Sequence, residues 1–200
     1  MRMKKRMRPA LVFGPMLFLV GLIGLGVGFF VFKPPQAVVD TKSLVGGSFS
    51  LMDQDGKAVT DADMRGAPFL VFFGFTHCPD ICPTKLFEIS QTFKALGDDA
   101  PGLSALFVTV DPARDTPEVM KRYLSSFDPR IKGLTGDQAM VDQMVKAYRA
   151  YAKKVPTDGG DYTMDHTSIV YLMNAQGEFV SSLNMAQRDT EIADEIRRAL

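Results

Sequence analysis

The apolar and polar positions divide this chain into two unequal stretches. Near the start, 22 consecutive residues from Leu11 to Phe32 carry no charged side chain. As a helix rising about 1.5 Å per residue, this run would extend roughly 33 Å, enough to cross a hydrocarbon core of about 30 Å. Lys33-Pro34-Pro35 ends it, because proline cannot continue the helical hydrogen-bond ladder. Beyond about residue 46, short apolar runs alternate with helical spacing. Residues 47–60 hold Asp55-Gly56 between two apolar segments, a hairpin signal. Residues 69–75 are continuously apolar, mostly aromatic, around one glycine, as in a strand buried on both faces. A helix follows from Pro83 to about Leu96, with apolar positions at Leu86, Ile89, Phe93 and Leu96, and residues 103–110 form another buried strand. Thr116-Pro117 reads as an N-cap and first helical residue, opening a helix to about Phe127. A short strand at 131–135, a helix at 137–151, antiparallel strands at 167–173 and 177–183, and a helix after Asp189-Thr190 complete the pattern. This order predicts an α/β domain with a mixed central sheet flanked by helices.

Four segments result: a basic N-terminus at 1–10, a transmembrane anchor at 11–32, a linker at 33–46 and one domain at 47–200. Six basic and no acidic residues occupy the first 33 positions, which predicts a cytoplasmic N-terminus and an exported domain. A cleaved signal peptide is the rival reading. The apolar run is longer than a signal core of about 7–15 residues, and no small-x-small cleavage site follows, so an uncleaved anchor is favoured. Gly24 and Gly28 have the spacing that packs membrane helices together, although glycine is common in such helices anyway. The short basic start lacks the long Ser- and Arg-rich presequence of mitochondrial import. The expected location is therefore a bacterial inner membrane, with the domain in the periplasm.

Charge narrows the function. The 23 basic and 23 acidic residues cancel overall, but positions 34–200 hold 17 basic against 23 acidic, a net of −6. An acidic body is not built for nucleic acid, whose affinity comes mostly from neutralising phosphates. Only two cysteines are present, which excludes a disulfide-rich scaffold.

Those two, Cys78 and Cys82, lie where a buried strand passes into a helix, a place where α/β sheets gather ligands. Pro79 and Pro83 disfavour helical backbone at the cysteine before each, so the motif is expected as a loop with Cys82 at the N-cap. Helix-terminal N–H groups near that position favour thiolate. Two small buried hydrophobes would be the bland reading, which the bracketing prolines and the junction make poor. Two chemistries stay open. An exported pair can cycle as a disulfide, or it can chelate a soft ion, copper(I) or zinc, with a third ligand from elsewhere.

Only two histidines are available. His77 adjoins Cys78, and consecutive side chains in an extended segment point apart, which makes it a poor co-ligand. His166 stands immediately before the predicted strand at 167–173, after Asp165, which could orient its ring. His166 is the best third ligand. Asp111, Arg114 and Asp115 could pair among themselves and brace the cysteine loop, an exposed pair being worth only about 0–1 kcal/mol. Met164 could lend a sulfur, but packing is the expected role for it and for Met140 and Met144. No phosphate-binding glycine loop and no serine–histidine–acid constellation is present.

Residues 73–83, 110–117 and 161–172 together resemble the SCO/SenC family of membrane-tethered, thioredoxin-like copper proteins that assist assembly of cytochrome c oxidase. The resemblance covers about residues 45–200. It implies that Cys78, Cys82 and His166 bind one copper ion, as Cu(I) and as Cu(II). It also implies delivery of that copper to the dinuclear copper centre of oxidase subunit II, with another copper protein as a possible donor. Some members are instead thought to reduce the cysteines of that acceptor site, which makes a thiol–disulfide oxidoreductase the alternative. A peroxide-consuming enzyme is a third reading with no help from His166. Relative to ordinary thioredoxins the motif is CxxxC rather than CxxC, and His166-Thr167 replaces the usual proline; both differences suit a metal site.

Overall fold

The computed structural model describes residues 44–199. The expected anchor, its glycine pair, the basic terminus and most of the linker lie outside the described residues. Among the described residues, no helix is long and apolar enough to cross a membrane.

The elements follow in the order β1 (Ser50–Asp53), β2 (Ala58–Thr60), β3 (Phe69–Gly74), α1 (Ile81–Leu96), β4 (Ser104–Thr109), α2 (Pro117–Leu124), β5 (Ile131–Thr135) and α3 (Gln138–Ala147). Then come β6 (Ala152–Pro156), β7 (Tyr162–His166), β8 (Val170–Met173), β9 (Phe179–Leu183) and α4 (Asp189–Ala199). Seven strands form one sheet in the order β2-β1-β5-β4-β3-β8-β9, and β6 and β7 pair separately as a ribbon. The three central strands β3, β4 and β5 run parallel, whereas β1 and β8 join them antiparallel. The sheet is mixed, as the element order predicts.

Its centre explains the apolar runs. All six residues of β3 and all four of β8 are buried, because helices cover both faces of strands in mid-sheet. Helix α1 buries Leu86, Ile89, Phe93 and Leu96 along one stripe, lies beside α4, and ends at Gly97 with φ +54°, a conformation favourable to glycine. Thr116 caps α2 by accepting the Val119 N–H, with Pro117 in the first turn, as the sequence signals. That helix stops at Leu124 rather than near Phe127.

Two expectations need correction. The helix predicted to run to Tyr151 ends at Ala147, because Arg149 takes a left-handed backbone (φ +53°). The N–H of Ala150 bonds the carbonyl of Val145 and that of Arg149 bonds Lys146, which closes the helix in a Schellman turn. Glycine usually marks such a turn, and arginine gives no sequence signal. Second, residues 167–173 are not one strand: His166 ends β7, and β8 begins only at Val170. The β6–β7 ribbon has no fully buried position, so it carries no apolar run by which to recognise it. Met144 is buried as expected, but Met140 is 45% exposed and does not pack in the core.

Candidate metal centre

The loop from Phe75 to Asp80 joins β3 to α1 and carries Cys78. Helix α1 starts two residues earlier than the prolines suggest: Asp80 is the N-cap and Cys82 the second helical residue. Pro83 is tolerated there because the first N–H groups of a helix have no intrahelical partner to lose. The N–H of Cys82 points instead at Cys78 Sγ, 3.3 Å away, and fixes that sulfur against the end of the helix. The expectation of a readily ionised Cys82 is also corrected. Its side chain is fully buried, and burial pushes its thiol well above the ordinary value. Gly74 provides the space for this sulfur, since a Cβ there would stand 2.9 Å from Cys82 Sγ.

His166 reaches the same point from the end of β7. Its ring meets Phe75 and Phe72 edge-on, with centroids 5.7 and 6.3 Å apart. Nδ1 lies 3.0 Å from the carbonyl oxygen of Thr167, which assigns the ring proton to Nδ1 and leaves the Nε2 lone pair free. Nε2 stands 3.5 Å from Cys82 Sγ. Asp165, the expected orienting group, instead sits opposite Lys153 in the ribbon; a backbone carbonyl does that work.

The donor atoms of Cys78, Cys82 and His166 all lie within 4.8 Å of one another. A three-coordinate ion with bonds of about 2.3 Å needs donors about 4 Å apart, so small side-chain adjustments would let these three hold one copper ion. Two thiolates and an imidazole are the donor set that a soft ion selects. Cys78 and His166 are half-exposed, so an ion can enter over them toward buried Cys82. His77 is exposed, 3.2 Å from the Thr76 hydroxyl, and takes no part in the cluster, as expected. Met164 packs half-buried against the core.

The loop after β4 does brace this centre, in part by the expected internal pairing, although Asp115 pairs outside the loop. Arg114 pairs with Asp111. Asp115, fully buried, accepts hydrogen bonds from the Thr76 N–H (3.1 Å), the Thr76 hydroxyl (2.6 Å) and the Thr109 hydroxyl (2.6 Å). Thr76, Thr109, Gly74 and Tyr162 are the contributors that sequence pattern alone does not single out. Tyr162 at least shares the segment of His166.

Fold and site together define a thioredoxin-like domain with a soft-donor centre at the junction of its first parallel strand and helix. The SCO1/SenC family model matches residues 38–200, and the chain belongs to that family. Relatives bear this out. The mitochondrial SCO1 homologue of Homo sapiens is 42% identical over 158 residues, which cover 78% of this chain and 52% of that protein. This chain thus spans about half the length of the animal relatives it matches. The copper-bound structure of ScoI from Bradyrhizobium japonicum is 56% identical, with a TM-score of 0.75 over 78% of this chain and 99% of that one. BsSco, described as a member of the Sco family of cytochrome c oxidase assembly proteins, superposes with a TM-score of 0.63 at 24% identity, covering 78% and 94% of the two chains; that likeness shows the fold.

Proposed function

We propose that this protein is a copper chaperone that binds one ion through Cys78, Cys82 and His166 and delivers it to the dinuclear copper centre of cytochrome c oxidase subunit II. The observation that carries this reading is the convergence of two sulfurs and one imidazole nitrogen within 4.8 Å, from segments 84 positions apart. The copper-bound relatives support the identity of the ion. Copper is cargo here. Thiolates hold Cu(I), and imidazole extends the site to Cu(II). The half-exposed donors, Cys78 and His166, are the ones an acceptor's ligands can displace first. The uncharged run at 11–32 and its basic flank support a single-pass anchor in a bacterial inner membrane, with the domain in the periplasm beside its acceptor.

The full-length chain with His166→Ala tests the reading. Copper binding should weaken strongly and lose its nitrogen signature, while Cys78 and Cys82 still form a disulfide under oxidant. Unchanged copper affinity would remove His166 from the site. A disulfide reductase acting on subunit II is the competing reading, supported by the closeness of the two sulfurs. It needs both cysteines but not His166, so full restoration of oxidase assembly by His166→Ala in cells lacking the protein would decide for it.

A further inference from the structure

The loop at 111–116 touches both halves of the candidate centre. Through Asp115 it holds Thr76, two residues before Cys78. Its other end reaches the ribbon that carries His166. That ribbon shares no strand pairing with the seven-stranded sheet among the described residues, so side chains rather than a hydrogen-bond ladder place it.

The contacts form a closed circuit. Arg114 Nε donates to Asp111, and Arg114 Nη1 donates to the Tyr162 carbonyl at 3.1 Å. The guanidinium lies 3.8 Å from the centroid of the Tyr162 ring, and the Tyr162 hydroxyl donates to Asp111 at 2.9 Å. Arg114 also comes within 6.0 Å of the Phe75 ring, which packs edge-on against His166. Tyr162 is the first residue of β7 and His166 the last. A strand of this length advances by about 3.4 Å per residue and is stiffened by its pairing with β6.

We infer that Arg114 is a positioning residue for His166: with Asp111 it clamps Tyr162, and strand β7 carries that constraint to the imidazole at its far end. The inference rests on the reading that Cys78, Cys82 and His166 hold copper. Asp115 and Arg114, one position apart, thereby tie the sulfur segment and the nitrogen segment to the same short loop. Oxidation state should reveal the clamp. Two thiolates satisfy Cu(I), whereas Cu(II) gains more from a correctly placed nitrogen donor.

Competition titrations of the full-length protein with Cu(II) and with Cu(I), nitrogen hyperfine coupling in the Cu(II) electron paramagnetic resonance spectrum, and the unfolding temperature of the metal-free protein test this together. Arg114→Gln should weaken Cu(II) binding by about tenfold or more, as loss of groups that orient a metal ligand does, and should alter the nitrogen coupling. Cu(I) affinity should stay near wild type. Tyr162→Phe, which removes only the bond to Asp111, should give a smaller loss of the same sign. Unchanged Cu(II) binding in Arg114→Gln overturns the inference. So does an equal loss for both oxidation states together with a lower unfolding temperature, which marks general loosening. Should Arg114→Gln fail to fold, Tyr162→Phe decides, and unchanged Cu(II) binding there overturns it as well. His166→Ala in the same titrations separates the two levels. If it leaves Cu(II) binding intact, the copper-site reading itself falls; if it abolishes that binding while Arg114→Gln does not, only the clamp falls.

Discussion

Gly74 leaves the space that the sulfur of Cys82 occupies. A Cβ at position 74 would lie 2.9 Å from Cys82 Sγ and 2.5 Å from Cε2 of Phe107. The Phe107 ring cannot easily give way, since it is stacked between Phe72 and Tyr123 at centroid distances of 5.9 and 5.8 Å. Gly74→Ala should therefore cost about 1–3 kcal/mol of stability and push the sulfur out of line with His166. Denaturant unfolding and a copper titration check both effects. A variant that binds copper normally despite lower stability would show that the sulfur can move without harm.

The buried thiol of Cys82 predicts a pH dependence. Burial raises its pKa above the ordinary value of 9.0, so this thiol is protonated at neutral pH and copper must displace that proton. Apparent copper affinity should rise with pH across the neutral range, by up to about tenfold per pH unit for each proton released. The metal-free protein should respond oppositely. Below pH 9.0 the folded and unfolded forms both hold the proton; above it the unfolded chain loses the proton first, and stability falls as pH rises. Copper competition at several pH values, and unfolding of the reduced protein on either side of pH 9, measure the two trends.

Asp115 predicts the cost of loosening the cysteine loop. Its carboxylate is the shared acceptor for Thr76 and Thr109, in a place without water access. Asp115→Ala should destabilise the domain by about 2–4 kcal/mol, because buried donors are left unpaired. Chemical unfolding measures the loss. A change of less than about 1 kcal/mol, the worth of an ordinary exposed pair, would mean the contacts are replaceable.

Tyr123 predicts a gain. Its hydroxyl is buried with no hydrogen-bond partner among the described residues, and burial, then the neighbouring Cys82 and Cys78, push its pKa up. Tyr123→Phe keeps the stacking on Phe107 and removes the orphaned group, so stability should rise by about 0.5–1.5 kcal/mol. Thermal unfolding of the metal-free protein gives the sign. A loss would show that the hydroxyl has a partner in solution.

Much of this was legible along the chain. The apolar runs at 69–75 and 103–110 marked the central strands because burial on both faces leaves no polar alternate positions. Thr116-Pro117 marked a helix start through local capping chemistry, and Cys78 and Cys82 announced themselves by type and spacing. What escaped was of a different kind. The β6–β7 ribbon has no core face to give it a pattern, and Arg149 stops a helix without the glycine that signals a stop.

The central strands and most of the helices, the mixed sheet and the three candidate donors could be read from the sequence alone, since each follows from burial or side-chain chemistry. Only the tertiary structure decided how the donors meet. It set Cys82 inside α1, gave the Nδ1 proton of His166 to a backbone carbonyl rather than to Asp165, and fastened both donor segments to the loop at 111–116. The reason is range: local pattern reports which side chains seek burial or bind metal, whereas contacts such as Thr76 with Asp115 and Arg114 with Tyr162 join positions 39 and 48 apart and exist only once the sheet has formed.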